Sequence, residues 1–511
     1  MAIKSDNNWV ISSQDIVSAF ECDQRLRLNL AKSSGLIQKP AQDDPELDLL
    51  IQRGKSHESA LLENLKQELT LVELADPKFD EESMSDAWQK TMVAMERGVE
   101  VIYQATLYTG NALGLVDFLV LAKDENGHPL TGQDGKYVYE PVDAKSSKKA
   151  KPKAVLQVGF YALLLEQLGW PKPKQVHLWL AGGNNFSDEA SKPMAIAEGL
   201  FAELRERLTR PIELPSKLWG AKISACATCD WKDHCAEGRR TDRDLSLVQG
   251  ITAQATKHLK DSGIETIDAL AVANTKPKRL RSETFEKLRD QASLQIEAEQ
   301  TGEIEWRIRN REALQIMPAK SPGDIWFDME GDPYADNGNG LEYMFGFSFL
   351  NENSSLDFKD IWGHDRPGEK KAFEDFIDWV MNWWSQHPDM HIYHYADYER
   401  RALLALSQKY STREAELDQI LRAGLLVDLY KLVKQSFKFS TESLSIKDIE
   451  VVYGRSHKEG DVQTSMGSVV EYERYIDLIE QCKVKEAARV LSGIRKYNRL
   501  DCDSTYDLDR W

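Results

Sequence analysis

IWFDMEGDP, residues 325–333, sets two carboxylates, Asp328 and Glu330, two positions apart in an otherwise strand-like run. Side chains of a strand alternate between its faces, so these two acids aim at the same point. The stretch just before it, PAKSPGD at 318–324, carries two prolines and a glycine and reads as a linker, so a new domain is expected to begin at residue 325. That domain continues through an amphipathic helix at FEDFIDWVMNWW, a strand at MHIYHY and helices to the end, an order that suggests an α/β or α+β fold. Near its end YNRLDCDST places Tyr497 and Asp501 one helical turn apart, while HYADYERRAL offers Glu399 at a strand-to-helix junction. Four converging acids, Asp328, Glu330, Glu399 and Asp501, would hold two divalent cations, with the Tyr497 hydroxyl turned toward an attacking water.

The first motif, D-x-E, and the last, Y-x3-D, resemble the RNase H-like exonucleases named for their D, E, D and D acids, in the subtype with a tyrosine before the last acid. The resemblance implies a 3'-5' exonuclease-type domain over 325–511 that uses Mg2+ or Mn2+. In the middle motif, normally N-x3-[FY]-D, this chain has His394, Tyr398 and Glu399, so both the amide and the acid depart from the pattern. A longer Glu still reaches a metal; Asp397 is a second choice that would face away from Glu399 on a helix. Asp428 in VDLYKL and Ile446 in SLSIKDIE occur in the order such domains show, but read equally well as a helix cap and a helix core. Trp379, Trp383 and Trp384 have helical spacing and read as core rather than as a base-stacking platform.

Farther toward the N-terminus, GLVDFLVLAKDENGHPLTGQDGKYVYEPVDAKSS (114–147) holds two strand-like runs around a polar loop, a hairpin pattern. Asp117 and Asp143 stand where apolar residues would be expected, and Asp143 and Lys145 share a face. Two carboxylates can hold a cation that polarises a phosphodiester, and a neighbouring lysine can orient a water or offset charge. KSSKKAKPK, 145–153, puts five lysines in nine residues directly after Asp143; alone it would be a solvated loop. His57 in RGKSHE, Asp117 in GLVD, Asp143 and Lys145 in EPVDAK, and Gln157 with Tyr161 in QVGFY resemble, in type, order and spacing, the PD-(D/E)XK nucleases of the RecB type. The resemblance implies a restriction-endonuclease-like domain over 1–240. In it His57, Asp117 and Asp143 bind metal and Lys145 assists the water. Gln157 and Tyr161 lie beside the site, and with Lys148 and Lys149 they are candidate DNA contacts.

Six cysteines are too few and too scattered for a disulfide framework. Three of them form CATCDWKDHC (226–235), a C-x2-C-x5-C pattern. In the iron-sulfur branch of these nucleases one cysteine precedes the nuclease motifs and three follow, so the resemblance implies that Cys22, Cys226, Cys229 and Cys235 bind a 4Fe-4S cluster. Zinc, with Cys22 or His234 as fourth ligand, is the competing reading. Cys482 and Cys502 read as buried thiols.

Between the two domains, VQGITAQATKHLKDSGIETIDALA reads as two helices around a turn at Gly263, a helix-hairpin-helix-like spacer over 245–295, followed by a linker over 296–324 that includes the alternating stretch EIEWRIRN. The 511 residues thus suggest an α/β multidomain protein. A net charge of −18 argues against non-specific coating of nucleic acid, though not against a local basic channel. No leader or apolar span is visible, which suggests a cytoplasmic protein with no membrane partner. The whole resembles predicted RecB-like nucleases, some fused to a superfamily 1 helicase, and the end at DLDRW suggests a short or truncated form. The expected activity is metal-dependent cleavage of DNA, as single strands or ends. An RNase, or a binding scaffold with one decayed site, are the alternatives.

Overall fold

The computed structural model describes residues 3–5, 8–40, 44–455 and 464–511. The chain divides into two compact units, one formed by residues 1–238 with 337–339 and the other by 239–336 with 340–511. Both mix helices with sheets, as an α/β multidomain chain should. Among the described residues no helix is long and apolar enough to cross a membrane.

In the N-terminal unit the hairpin pattern folds as antiparallel strands, Ala112–Leu121 and Tyr139–Lys145, in which Phe118 pairs with Val142. One step along that register brings Asp117 opposite Asp143. Strand Val101–Tyr108 covers the other side of Ala112–Leu121 along most of its length, while Asn8–Ser12 pairs in parallel with Ala112 and Leu113. Residues 114–117 therefore lie between two neighbours that share one side of the strand. Beyond Tyr139–Lys145 the sheet extends through Gln175–Leu180, parallel, and Asn185–Glu189, antiparallel. The helix Pro152–Gln167 starts with a proline in its first turn, where a missing N–H costs nothing, and is apolar on most sides. It is buried accordingly, with Phe160, Tyr161 and Leu164 in the main core.

In the C-terminal unit a five-stranded sheet runs in the order Leu356–Trp362, Leu341–Leu350, Ile325–Asp332, Ile392–His394, Leu426–Asp428. The first three strands are antiparallel and the last two are parallel to Ile325–Asp332. Helix Arg366–Gln386 covers one face; Phe376 stacks on Phe327, and Trp379, Trp383 and Trp384 pack against that core, as their spacing suggests. The long helix Val484–Arg510 crosses the strands Ile325–Asp332 and Leu341–Leu350. Cys502 on it is buried, but Cys482 is exposed, contrary to the expectation: it sits at φ +58 in the turn between Ser465–Glu480 and that long helix, where no core reaches it.

The helical region before this sheet belongs to the same unit. Helices Ala253–Lys260 and Ile267–Ala271 flank a turn with Gly263 at φ +80, and helix Ser282–Thr301 follows. Residues 296–324 are not free chain. They hold the end of that helix, the strand Trp306–Ile308, paired antiparallel with Phe437–Phe439, and the helix Arg311–Leu314. Trp306 meets Trp511 edge-on with ring centroids 4.9 Å apart, and the buried Gln291 amide donates to the Phe439 carbonyl at 2.7 Å. Alternation in EIEWRIRN is thus the alternation of a short strand.

Candidate active site

Asp328 and Glu330 project from the central strand Ile325–Asp332, and Asp501 comes from the helix Val484–Arg510. The three offer carboxylate oxygens that all lie within 4.8 Å of one another. No other group of three or more acids, histidines or cysteines converges so closely among the described residues. Asn498, one turn before Cys502 and fully buried, donates its amide to Asp328 Oδ2 at 2.8 Å. Gly346 pairs with Asp328 on the next strand, and the space a Cβ would take there is filled by the Asn498 amide. Glycine at 346 is therefore what lets this amide reach the carboxylate.

Glu399 lies in the first turn of helix Tyr398–Tyr410, 3% exposed. It is close enough to raise the Asp328 pKa. The His394 ring stands beside it, with Nδ1 3.3 Å from Glu399 Oε2, but that nitrogen donates to the Ala396 carbonyl at 2.6 Å. Glu399 Oε2 is buried without a hydrogen bond. The turn that delivers Glu399 is tight: Ala396 adopts φ +75, and its N–H donates to Asp428 Oδ1 at 3.1 Å. Asp397 instead pairs with Arg401 at 3.4 Å.

Tyr497 is buried. Its hydroxyl is bonded to the Lys447 ammonium and to the Asp501 carboxylate, and the ammonium also lies 4.3 Å from the ring centroid. Burial, then Asp501, Glu330 and Asp328, push its pKa far up, so the phenol stays protonated. Enclosure by protein, then the charges of Glu330, Asp501 and Glu399, raise Asp328 well above the usual carboxylate range, with Lys447 opposing. Burial and Asp501 push Glu330 up to about 8, against hydrogen bonds from Ser468 and Asn498. Acids crowded together with so little opposing charge must keep protons or take up cations. The oxygen-only donor set and the unsatisfied Glu399 Oε2 fit hard divalent cations such as Mg2+ or Mn2+.

The N-terminal unit gathers a second acidic set. Asp143 is 1% exposed and forms a salt bridge with Lys145. Asp117 accepts the Ala144 N–H at 2.7 Å. Burial and the Asp143 charge raise Asp117 well above the normal range, partly offset by Lys145. Burial alone would lower Lys145, but the Asp143, Asp117 and Glu58 carboxylates outweigh it and hold the ammonium charged.

His57, on helix Pro45–Glu68, turns its Nε2 toward the Trp179 carbonyl at 3.3 Å. Its neighbour Glu58 acts on Asp117 and Lys145, and is held by the Gln104 amide. Gln104 lies opposite Asp117 with φ +54, a left-handed kink within a strand that is rare for a non-glycine residue. Neither Glu58 nor Gln104 follows from the motif reading. The adjacency of Glu58 to His57 on a helix was the available signal.

The Gln157 amide donates to the Tyr161 hydroxyl at 2.7 Å, and Ser13 Oγ lies 3.3 Å from that hydroxyl. At 1% exposure Tyr161 cannot touch a strand, and serves to hold Gln157. Gln157 lines a cleft of about 280 Å³ with Lys145, Lys151, Lys153 and Arg25. Lys148 and Lys149 are exposed in the loop above it.

Cys22 caps the helix Asp23–Ser33, its Sγ accepting the Arg25 N–H at 3.4 Å. The segment with the other cysteines returns to this helix: the buried Trp231 indole donates to Asn29 at 2.9 Å, and Gln24 donates to the Lys217 carbonyl at 2.7 Å. Cys226 Sγ accepts the Ile223 N–H at 3.5 Å and Cys229 accepts that of Trp231. Burial raises the Cys229 thiol, with Cys226 and Cys235 near enough to add to it. Backbone N–H groups aimed at sulfur stabilise thiolates, so the donor set suits a thiolate-bound metal.

No curated protein matches the chain. Residues 325–511, which carry Asp328, Glu330, Glu399, Tyr497 and Asp501, match the RNase_H_2 family, of the RNase_H superfamily, and form an RNase H-like domain of the nuclease type.

Proposed function

We propose that this chain is a metal-dependent nuclease that hydrolyses phosphodiester bonds of DNA, preferring single strands or ends, in cytoplasmic repair, recombination or defence. One observation carries the reading: the approach of Asp328, Glu330 and Asp501 to within 4.8 Å inside a domain of RNase H type. Those three acids, with Glu399, would hold Mg2+ or Mn2+. When bound, such cations lower the pKa of a coordinated water and steady the leaving oxygen. The chain's own contribution is positional. Asn498 fixes the Asp328 carboxylate, and the protonated Tyr497 is held between Lys447 and Asp501 as a hydrogen-bond donor rather than a base.

The N-terminal unit would carry a second, RecB-type nuclease site at Asp117, Asp143 and Lys145, with His57 as the expected metal ligand and Glu58 as a further acid whose charge acts on Asp117 and Lys145. Cys22, Cys226, Cys229 and Cys235 would hold a 4Fe-4S cluster of structural role, a reading supported by the N–H groups directed at the sulfurs of Cys22, Cys226 and Cys229. A helicase, in cis or in trans, would supply single strands. The test is digestion of end-labelled single-stranded DNA, and of RNA in parallel, with manganese, by the Asp328→Ala and Asp143→Ala proteins. Loss of cutting in Asp328→Ala supports the C-terminal site as the working nuclease; undiminished cutting in both variants would sink the assignment of either site.

A further inference from the structure

Next to the carboxylates, the turn that carries Glu399 forms one wall of a cleft of about 1000 Å³. Ala396 and Asp397 line it, so its edge is at most about 11 Å of chain from Glu399. Its remaining walls are basic, with Arg309, Arg401, Lys431 and Lys434. Two acids also face it, and both are engaged: Asp397 pairs with Arg401, and Asp428 caps the helix Leu429–Ser436 and lies 3.4 Å from Lys431. Arg309 and Lys434 form no salt bridge among the described residues, and neither does Lys287 on the helix Ser282–Thr301.

Lys287 belongs to the same group of charges. Desolvation and repulsion from Arg309, Lys438 and Lys434 lower its pKa, with Glu283 opposing. Lys438 is neutralised by Asp290, which leaves Lys287, Arg309 and Lys434 as an exposed cationic group in a chain of net charge −18. Two cations without a salt bridge among the described residues, Arg309 and Lys434, stand on the walls of one cleft and mark a place for an anion. Two of these three cations, Lys287 and Arg309, come from residues before 325, outside the RNase H-like segment. They are fixed there by the pairing of Trp306–Ile308 with Phe437–Phe439 and by the Gln291 bond to Phe439.

We propose that Lys287, Arg309 and Lys434 form a backbone-phosphate subsite for the nucleic-acid strand cut at Asp328, Glu330 and Asp501, so that residues 282–310 are part of the substrate-binding surface rather than a spacer. The direction of the strand toward the carboxylates rests on the proposed nuclease function; the phosphate subsite itself does not. Each cation would contact a phosphate without reading a base, which gives affinity that falls with salt and little sequence preference.

The test uses the full chain in an Asp143→Asn background, with calcium in place of manganese for binding. A labelled oligodeoxynucleotide and the matching oligoribonucleotide are titrated at several salt concentrations. The triple variant Lys287→Gln/Arg309→Gln/Lys434→Gln is compared with a control that neutralises three exposed cations elsewhere, Lys370→Gln/Lys485→Gln/Arg489→Gln. Relative to the control, the triple variant is expected to bind about tenfold or more weakly, and the slope of log affinity against log salt to shrink by about 2. With manganese restored, the ratio of strand cleavage to hydrolysis of a small aryl phosphodiester, which reaches only the carboxylates, is expected to fall in step. Losses on both polymers would assign backbone recognition, and a loss confined to one would name its source. Affinity and slope equal to the control's, in a variant with an unchanged melting temperature, would overturn the subsite. A parent protein that cuts neither substrate, while the triple variant still loses slope, would overturn nuclease action at the C-terminal carboxylates and leave the subsite standing.

Discussion

Asp143 in the N-terminal unit and Asp328 in the C-terminal unit both sit on an interior strand of a sheet with a second acid close by, yet only Asp143 has a cation in direct contact. Asp143 has a built-in cation, Lys145, in direct contact. Asp328 has Glu330, Asp501 and Glu399 around it, and the nearest cation, Lys447, is bonded to Tyr497. One site keeps a lysine in contact with its acid, against Asp117 and Glu58; the other sets four acids against a lysine engaged elsewhere. A buried carboxylate without compensation holds its proton or binds a metal, so the second site has the greater need for divalent cations.

The largest effect expected from this contrast is on cutting. In the Asp143→Asn background, Asp328→Ala is expected to lower manganese-dependent cleavage of labelled strands by about a thousandfold or more, roughly 4 kcal/mol of transition-state stabilisation. Retained cleavage there would reverse the comparison.

Stability should then separate the two sites by sign. In metal-free protein, Lys145→Met strands the buried Asp143 charge and should destabilise the N-terminal unit by about 3 kcal/mol. Asp328→Asn relieves repulsion and should stabilise the C-terminal unit. Denaturant melts followed in each unit check both, and a loss of stability in Asp328→Asn would show that its acids are compensated after all.

The pH dependence sharpens the same point. Glu330 is raised from its ordinary value to about 8, so between roughly pH 4.5 and 8 the folded protein binds the extra proton. Metal-free stability of the C-terminal unit should therefore fall as pH rises through that window, by on the order of 5 kcal/mol in total. Glu330→Gln should flatten the slope, and saturating Mn2+ should offset it. A metal-free melting temperature that climbs across the window would contradict the assignment.

A smaller effect concerns the amide that holds Asp328. Gly346→Ala places a Cβ where the Asn498 side chain lies, so cleavage should drop by about 10- to 30-fold, roughly 1.5–2 kcal/mol, in a chain that remains folded. Unchanged cleavage would remove Asn498 from the positioning of Asp328.

Much of the C-terminal site was legible because its signals are local. D-x-E is a period-2 pattern on one strand, and Tyr497 and Asp501 are one helical turn apart, so backbone geometry alone aims each pair. The hairpin carrying Asp117 and Asp143 was legible in the same way. Asn498, Lys447, Glu58 and Gln104 were not, because each works through a partner distant in sequence: Asn498 meets Asp328 across 170 positions. Cys482 was misread because a thiol's burial depends on whether neighbouring elements cover it, and the turn at 482 is left uncovered.

The stretch 296–324 shows the division most plainly. Its prolines and glycine read as a linker, while the structure folds residues 239–336 and 340–511 into one unit; its alternation contained a strand, written in the order of residues. Whether that strand had a partner was decided by Phe437–Phe439, about 130 residues away in the chain, and with it the placement of Arg309 beside Lys434. By itself the sequence determined which carboxylates share a strand face or a helical turn, since those periods are properties of the backbone. Only the tertiary structure decided which of those faces meet, and how much opposing charge each carboxylate finds there, because contact and desolvation are set by packing between segments far apart in sequence.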